Sequence, residues 1–239
     1  MPLATSLAAV IVGYLIGSLS FAVIVSRALG LADPRSYGSG NPGATNVLRS
    51  GNKTAAVLTL VLDALKGFVP VLVASLLAPR LGFGEGTLAW VGLAAFLGHV
   101  FPVFFRFQGG KGVATAAGVL LALNPLLGLA TLATWLIVAG LLRYSSLAAI
   151  VAAVCAPFYQ LLIWGGGPSS LPLLAMSLLL LWRHGGNMRK LITGRESKIG
   201  QKEGAAATKT SHPAPASAPA VRAAPTHPGA RRRARKGRR

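Results

Sequence analysis

Apolar runs long enough to approach the width of a bilayer constrain this chain more than any other feature. A helix crossing the hydrocarbon core needs about 20 predominantly apolar residues. Runs near that length recur at 3–25, 54–77, 87–105, 113–123, 126–142, 145–164 and 171–182. Composition agrees with this reading. Hydrophobic residues make up 53% of the chain and charged residues 12%, about half the charged share of a soluble domain. The expected fold is an all-α membrane protein, a polytopic bundle of seven transmembrane helices. The fourth and seventh runs are short for a full crossing. Their flanking loops are expected to dip into the membrane, or their helices to start earlier.

Charge tests the count. With the N-terminus outside, the inside segments carry Arg27, Arg35, Arg49, Lys53, Arg106, Lys111, Arg143, Arg183, Arg189, Lys190, Arg195 and Lys198. The outside segments carry only Arg80. This bias follows the positive-inside rule, and an even number of spans would put one basic loop outside. The C-terminus is therefore expected in the cytoplasm. Met1 to Thr5 carries no positive n-region, so the first run reads as a retained helix rather than a cleaved signal. The domain plan is a membrane domain over 1–200 and a basic Ala/Pro-rich tail over 201–239. The tail holds ten Lys or Arg against one acidic residue. It has almost no large apolar side chains and is expected to be disordered, resting on anionic lipid headgroups. RNA contact by this tail is the alternative; because the charge first serves topology, nucleic acid is not expected as a partner.

Three polar segments fall on the same face in the seven-span plan. The first is Gly38-Ser39-Gly40-Asn41-Pro42-Gly43-Ala44-Thr45-Asn46, followed by Arg49. Its glycines let backbone amides approach an anion. Ser39, Asn41, Thr45 and Asn46 supply neutral donors, and Arg49 a fork suited to phosphate. An ordinary polar turn has the same composition. The second is Arg106-Phe107-Gln108-Gly109-Gly110-Lys111-Gly112, leading through Thr115 into the fourth run. A glycine-rich loop entering a helix is an anion site. It is not a Walker A loop, because Phe105 stands where that pattern needs glycine and Gly112 where it needs Ser or Thr. Nucleotide hydrolysis is thus unsupported. The third runs from Arg183-His184-Gly185-Gly186-Asn187 to Glu196 and Lys198. His184 can act as a base, a phosphate donor or a helix-end residue; Glu196, flanked by cations, reads as structural. Convergent cations on glycine-rich loops at a membrane surface suggest a phosphorylated substrate.

Other polar residues sit inside the runs. Asp63 and Lys66 share the second run at i and i+3, where they can pair with each other. Alternatively, Lys66 faces the substrate and Asp63 orients it. His99 reads as a satisfied buried imidazole, and Cys155, the one cysteine, as a small buried apolar residue.

These segments closely resemble the bacterial PlsY family of acyl-phosphate:glycerol-3-phosphate acyltransferases, in motif order and spacing, over about residues 5–200. The resemblance implies acyl transfer from acyl phosphate to the 1-hydroxyl of glycerol 3-phosphate in a bacterial cytoplasmic membrane. It implies lysophosphatidic acid and phosphate as products, with acyl phosphate handed over by the enzyme that forms it. It implies no metal and no cofactor. Carried onto this sequence, Ser39 and Arg49 match the essential pair of the first motif. Gly109, Gly110, Lys111 and Gly112 match the glycerol-phosphate loop, and His184 and Asn187 the active positions of the third motif. Glu196 matches a structural position. The expected catalytic set is Ser39, Arg49, Lys111, His184 and Asn187. Substrate binding is expected from Gly40, Asn41, Thr45, Asn46, Lys66, Gly109, Gly110, Gly112 and Thr115, with Glu196 and Asp63 structural.

The inventory fits such chemistry. No histidine has an aspartate five positions on, so the His–Asp pair of other glycerolipid acyltransferases is missing. Acyl phosphate is already activated and needs no strong nucleophile. The rival reading, a transporter of an organic phosphate, would favour an inverted internal repeat, and none is visible. Deleting residues 201–239 separates the enzyme reading from an RNA-tethering one. Acyltransfer by the truncated protein is expected to stay within about twofold of the full chain in a membrane assay.

Overall fold

The computed structural model describes residues 2–200; the tail expected over 201–239 lies outside the described residues. The described part is helical, in the order α1 (Pro2–Gly17), α2 (Phe21–Ala28), α3 (Ala44–Val47), α4 (Lys53–Leu81), α5 (Glu85–Val100), α6 (Val113–Leu123), α7 (Pro125–Leu142), α8 (Ser145–Tyr159), α9 (Ser170–Arg183) and α10 (Gly185–Ile192). Four stretches are long and apolar enough to cross a membrane: Lys53–Leu81, Glu85–Phe105, Pro125–Leu142 and Ser145–Trp164. A fifth follows if α1 and α2, bent by 41° at their junction, count as one span. α6 and α9 are shorter, at 11 and 14 residues. At 1.5 Å per residue, α6 reaches only about 16 Å, roughly half the hydrocarbon thickness.

Local chemistry sets these boundaries. Asn52 caps α4, its Oδ1 accepting from the Ala55 amide at 2.9 Å. Asn124 does the same for α7, accepting from Leu126 and Leu127, with Pro125 at the first helical position, where a missing N–H costs nothing. This cap explains why α6 stops early: Asn124 is extended and starts a new helix. The first run breaks at Ser18–Ser20. In lipid such a break is tolerated only where neighbours satisfy the released backbone groups. Here Lys66 Nζ donates to the Leu19 carbonyl at 2.7 Å.

Contacts sort the loops into two ends. At one end Ser6 bonds Thr87 and Gly86 lies against Pro168. At the other, the segments around 35–50, 101–112, 143–146 and 183–199 meet through the bonds described below. An apolar groove of about 340 Å³ runs between α1 and α4, along Val12, Gly13, Ile16, Val69 and Val73.

Helix α6 lies tightly on α4. A Cβ at Gly118 would run into the Ala64 carbonyl, and one at Gly67 into the Thr115 carbonyl. Small residues at a membrane helix contact let backbones approach, so van der Waals packing replaces the missing hydrophobic drive. Gly118→Val is expected to destabilise the protein by about 1–3 kcal/mol through overpacking. Gly140→Ala, at a helical glycine with open space around it, is expected to be neutral or stabilising by up to about 1 kcal/mol. Thermal unfolding in detergent checks both.

Candidate active site

Four segments meet at the polar end, and their side chains tie them together. The glycine-rich loop follows Arg106 and Phe107, both at positive φ (54° and 59°). Two successive non-glycine residues in the left-handed region mark a loop held in a costly shape. Arg183, at the end of α9, grips this loop: its Nε donates to the Gly110 carbonyl at 3.2 Å and its Nη2 to Gly109 at 2.9 Å. Lys111 Nζ donates to Asn187 Oδ1. Asn187 Nδ2 in turn donates to Glu196 Oε1 at 2.6 Å, where Ser146 Oγ also donates at 2.6 Å. One chain, Lys111–Asn187–Glu196–Ser146, thus links the loop, α10, the segment after α10 and the start of α8.

The first polar segment joins the same end. Arg49 Nη2 donates to Ser197 Oγ at 2.6 Å, and Thr45 Oγ1 lies 3.3 Å from Ser145 Oγ. Ile199 donates from its amide to the Arg143 carbonyl at 2.7 Å, folding the segment after α10 across the α7–α8 corner. Asn46 is buried and organises its own loop. Its Oδ1 accepts from the Ser39 amide at 3.0 Å, and its Nδ2 donates to the Pro34 and Tyr37 carbonyls. Ser39 is exposed. A cleft of about 370 Å³ opens between the first two segments, lined by Arg35, Gly40, Pro42, Phe107, Gln108, Gly109 and Arg183.

Electrostatics follow from this crowding. Burial pulls Lys111 down to about 8; Glu196 opposes the shift, while the nearby Arg183, Lys190 and Arg49 charges reinforce it. His184 is buried and falls to about 4, first through burial and then through the Lys111 charge. It is therefore neutral near pH 7. Its Nδ1 lies 2.8 Å from the Leu180 carbonyl, an atom that only accepts. Nδ1 must carry the ring proton, leaving Nε2 as the acceptor.

Of the residues singled out in the sequence, the structure gathers Arg49, Thr45, Gly109, Gly110, Lys111, Asn187 and Glu196 at one end. Gly40 and Gly109 line the cleft. Lys66, Thr115 and Asp63 form a separate buried group with His99, directly behind the glycine-rich loop. Lys66 pairs with Asp63 at 2.8 Å, the i,i+3 alternative, and does not open to the cleft. Ser146, Ser197, Arg35 and Gln108 join the site without having been singled out. Ser146 could have been noticed as a hydroxyl at the start of a span whose basic loop is on the same side. Arg35 could have been noticed two residues after Asp33, which it binds at 2.6 Å.

Comparison with known proteins covers the same residues. The family described as glycerol-3-phosphate acyltransferase matches residues 7–194. A glycerol-3-phosphate acyltransferase of Burkholderia lata is 65% identical over 203 residues, covering 84% of this chain and 94% of that protein. One from Ralstonia nicotianae is 64% identical over 193 residues, covering 81% and 93%. Among solved structures, the glycerol 3-phosphate form of PlsY (YgiH), an integral membrane glycerol 3-phosphate acyltransferase, superposes with a TM-score of 0.76 at 40% identity, covering 82% of this chain and 96% of that one. Its lysophosphatidic acid form gives 0.74.

The lowered Lys111 value has a measurable consequence. Raising pH from 7 through about 8 to 9 removes the Lys111 charge, so phosphomonoester affinity is expected to fall about tenfold across that window. Lys111→Arg keeps its charge at these pH values and is expected to give a flat profile, read by calorimetric titration of purified protein.

Proposed function

Since the chain belongs to the glycerol-3-phosphate acyltransferase family, we propose that it moves an acyl group from acyl phosphate to the 1-hydroxyl of glycerol 3-phosphate, giving lysophosphatidic acid and phosphate. The observation that carries this reading is the convergence of three cations on one end: Lys111 on Asn187, which is bonded to Glu196, Arg49 on Ser197, and Arg183 on the Gly109 carbonyl. Three cations can hold two phosphates, one on each substrate. That places the hydroxyl beside the acyl carbon, and such positioning alone is a large share of the rate.

In the transfer, the glycerol oxygen bonds to the acyl carbon and the bond from that carbon to the phosphate oxygen breaks. The hydroxyl proton ends on a phosphate oxygen. Neutral His184 has Nε2 as its acceptor atom but makes a weak base, which favours proton transfer to phosphate. Lys111 and Arg49 stabilise charge developing on the leaving phosphate. Ser39 positions substrate and is not acylated. The groove between α1 and α4 offers the apolar surface that a fatty chain needs. The setting is a bacterial cytoplasmic membrane, crossed seven times with the N-terminus outside and the C-terminus in the cytoplasm. Residues 1–200 carry the activity, and the donor arrives from the enzyme that makes it.

Purified protein, radiolabelled glycerol 3-phosphate and either acyl phosphate or acyl-CoA test this directly. Labelled lysophosphatidic acid is expected from acyl phosphate only; none from either donor overturns the assignment, and product from acyl-CoA alone corrects the donor. Lys111→Ala is expected to lower kcat/KM at least 100-fold. A trapped acyl group on Ser39 would refute direct transfer.

A further inference from the structure

Behind the glycine-rich loop lies a buried polar group that no step above uses. Asp63, Lys66, His99 and Thr115 are each at most 6% exposed, and they come from α4, α5 and α6. Burying such groups between membrane helices is costly. Apolar side chains of the same volume would pack these helices without that cost, so helix packing alone does not account for the group.

Its connections lead to the loop. The Gly110 amide donates to the His99 carbonyl at 3.2 Å. The His99 ring fills the space a side chain at position 110 would need, with Nε2 nearest. The loop is therefore held from two sides, Arg183 drawing on the carbonyls of Gly109 and Gly110 and His99 backing Gly110. The ring itself is fixed. Thr115 Oγ1 donates its one proton to the Asp63 carbonyl at 2.8 Å, yet it lies 3.1 Å from His99 Nδ1. Nδ1 must then be the donor of that bond, and in the neutral ring Nε2, the atom toward Gly110, carries no proton. The Asp63 carboxylate stands 3.7 Å from the same Nδ1 and is anchored by Lys66, which also holds the α1–α2 break through Leu19.

We propose that His99 is a positioning residue for the glycine-rich loop, its ring held by Thr115 and the Asp63–Lys66 pair so that Gly109–Gly110 keep the shape that presents Lys111 to phosphate. This rests on the acyltransferase reading for its ligand and extends it to residues that touch no substrate. The polar group sets affinity for the phosphorylated acceptor from behind.

The test uses Thr115→Val, Thr115→Ser and His99→Gln in the full chain, with glycerol 3-phosphate binding by calorimetry, steady-state kinetics and melting temperature read together. Thr115→Val removes the hydroxyl with almost no change of shape. It is expected to weaken glycerol 3-phosphate binding and raise its KM at least tenfold, with kcat falling less and melting shifted by only a few degrees. His99→Gln is expected to match or exceed that loss. Thr115→Ser, which restores the hydroxyl, is expected within threefold of the unaltered protein. Wild-type affinity in Thr115→Val overturns the proposal, as does a Thr115→Ser variant as weak as Thr115→Val. Should His99→Gln fail to fold, the threonine pair decides alone. Unaltered protein that binds glycerol 3-phosphate without turnover sinks the acyltransferase reading and leaves the binding comparison to judge the loop; no binding at all sinks both.

Discussion

A polar atom without a partner in a bilayer costs on the order of several kcal/mol, and this structure is arranged around meeting that demand at one place. The break between α1 and α2 releases the Leu19 carbonyl, which takes a proton donor from Lys66. The buried ammonium needs an anion and finds Asp63. Asp63 sits against His99 and Thr115, and His99 backs the glycine-rich loop. Each requirement creates the next, so a bend in the first helix and the shape of a loop 90 residues further on rest on one buried ion pair. Removing either ion would strand its partner, a loss of about 3–5 kcal/mol.

The site end is built on the opposite principle. Asn187, a neutral amide, stands between Lys111 and Glu196, accepting from one and donating to the other. The carboxylate orients the lysine without lying directly on it. Burial, reinforced by the nearby Arg183, Lys190 and Arg49 charges, lowers Lys111 to about 8. In the proposed acyl transfer these cations are held in place before substrate binds, the condition under which electrostatic stabilisation works best.

Much of this was legible in the residues. The apolar runs gave every long helix to within a few positions, because lipid imposes length and hydrophobicity directly on sequence. The three polar segments stood out because glycine and cations are conspicuous against an apolar background. The short fourth run kept its predicted bounds, 113–123. What escaped were pairings set by distance in space. Ser197 on Arg49, Ser146 on Glu196 and the carbonyls under Arg183 join residues 50 to 148 positions apart. A serine at a helix start carries no mark of the carboxylate it will meet. The bend at Ser18–Ser20 was also hidden, since a continuous apolar run looks the same whether its helix is straight or broken.

The sequence by itself determined a helical membrane protein with three polar segments rich in glycine and cations, since hydrophobic length and glycine–cation clustering are properties of the chain. Only the tertiary structure decided what each polar residue does. It turned Lys66 away from the cleft toward Asp63 and Leu19, set Asn187 between a cation and a carboxylate, and placed His99 against Gly110. Those roles depend on which helices lie within hydrogen-bond reach, and that is fixed by close packing at residues such as Gly67 and Gly118 rather than by any local pattern.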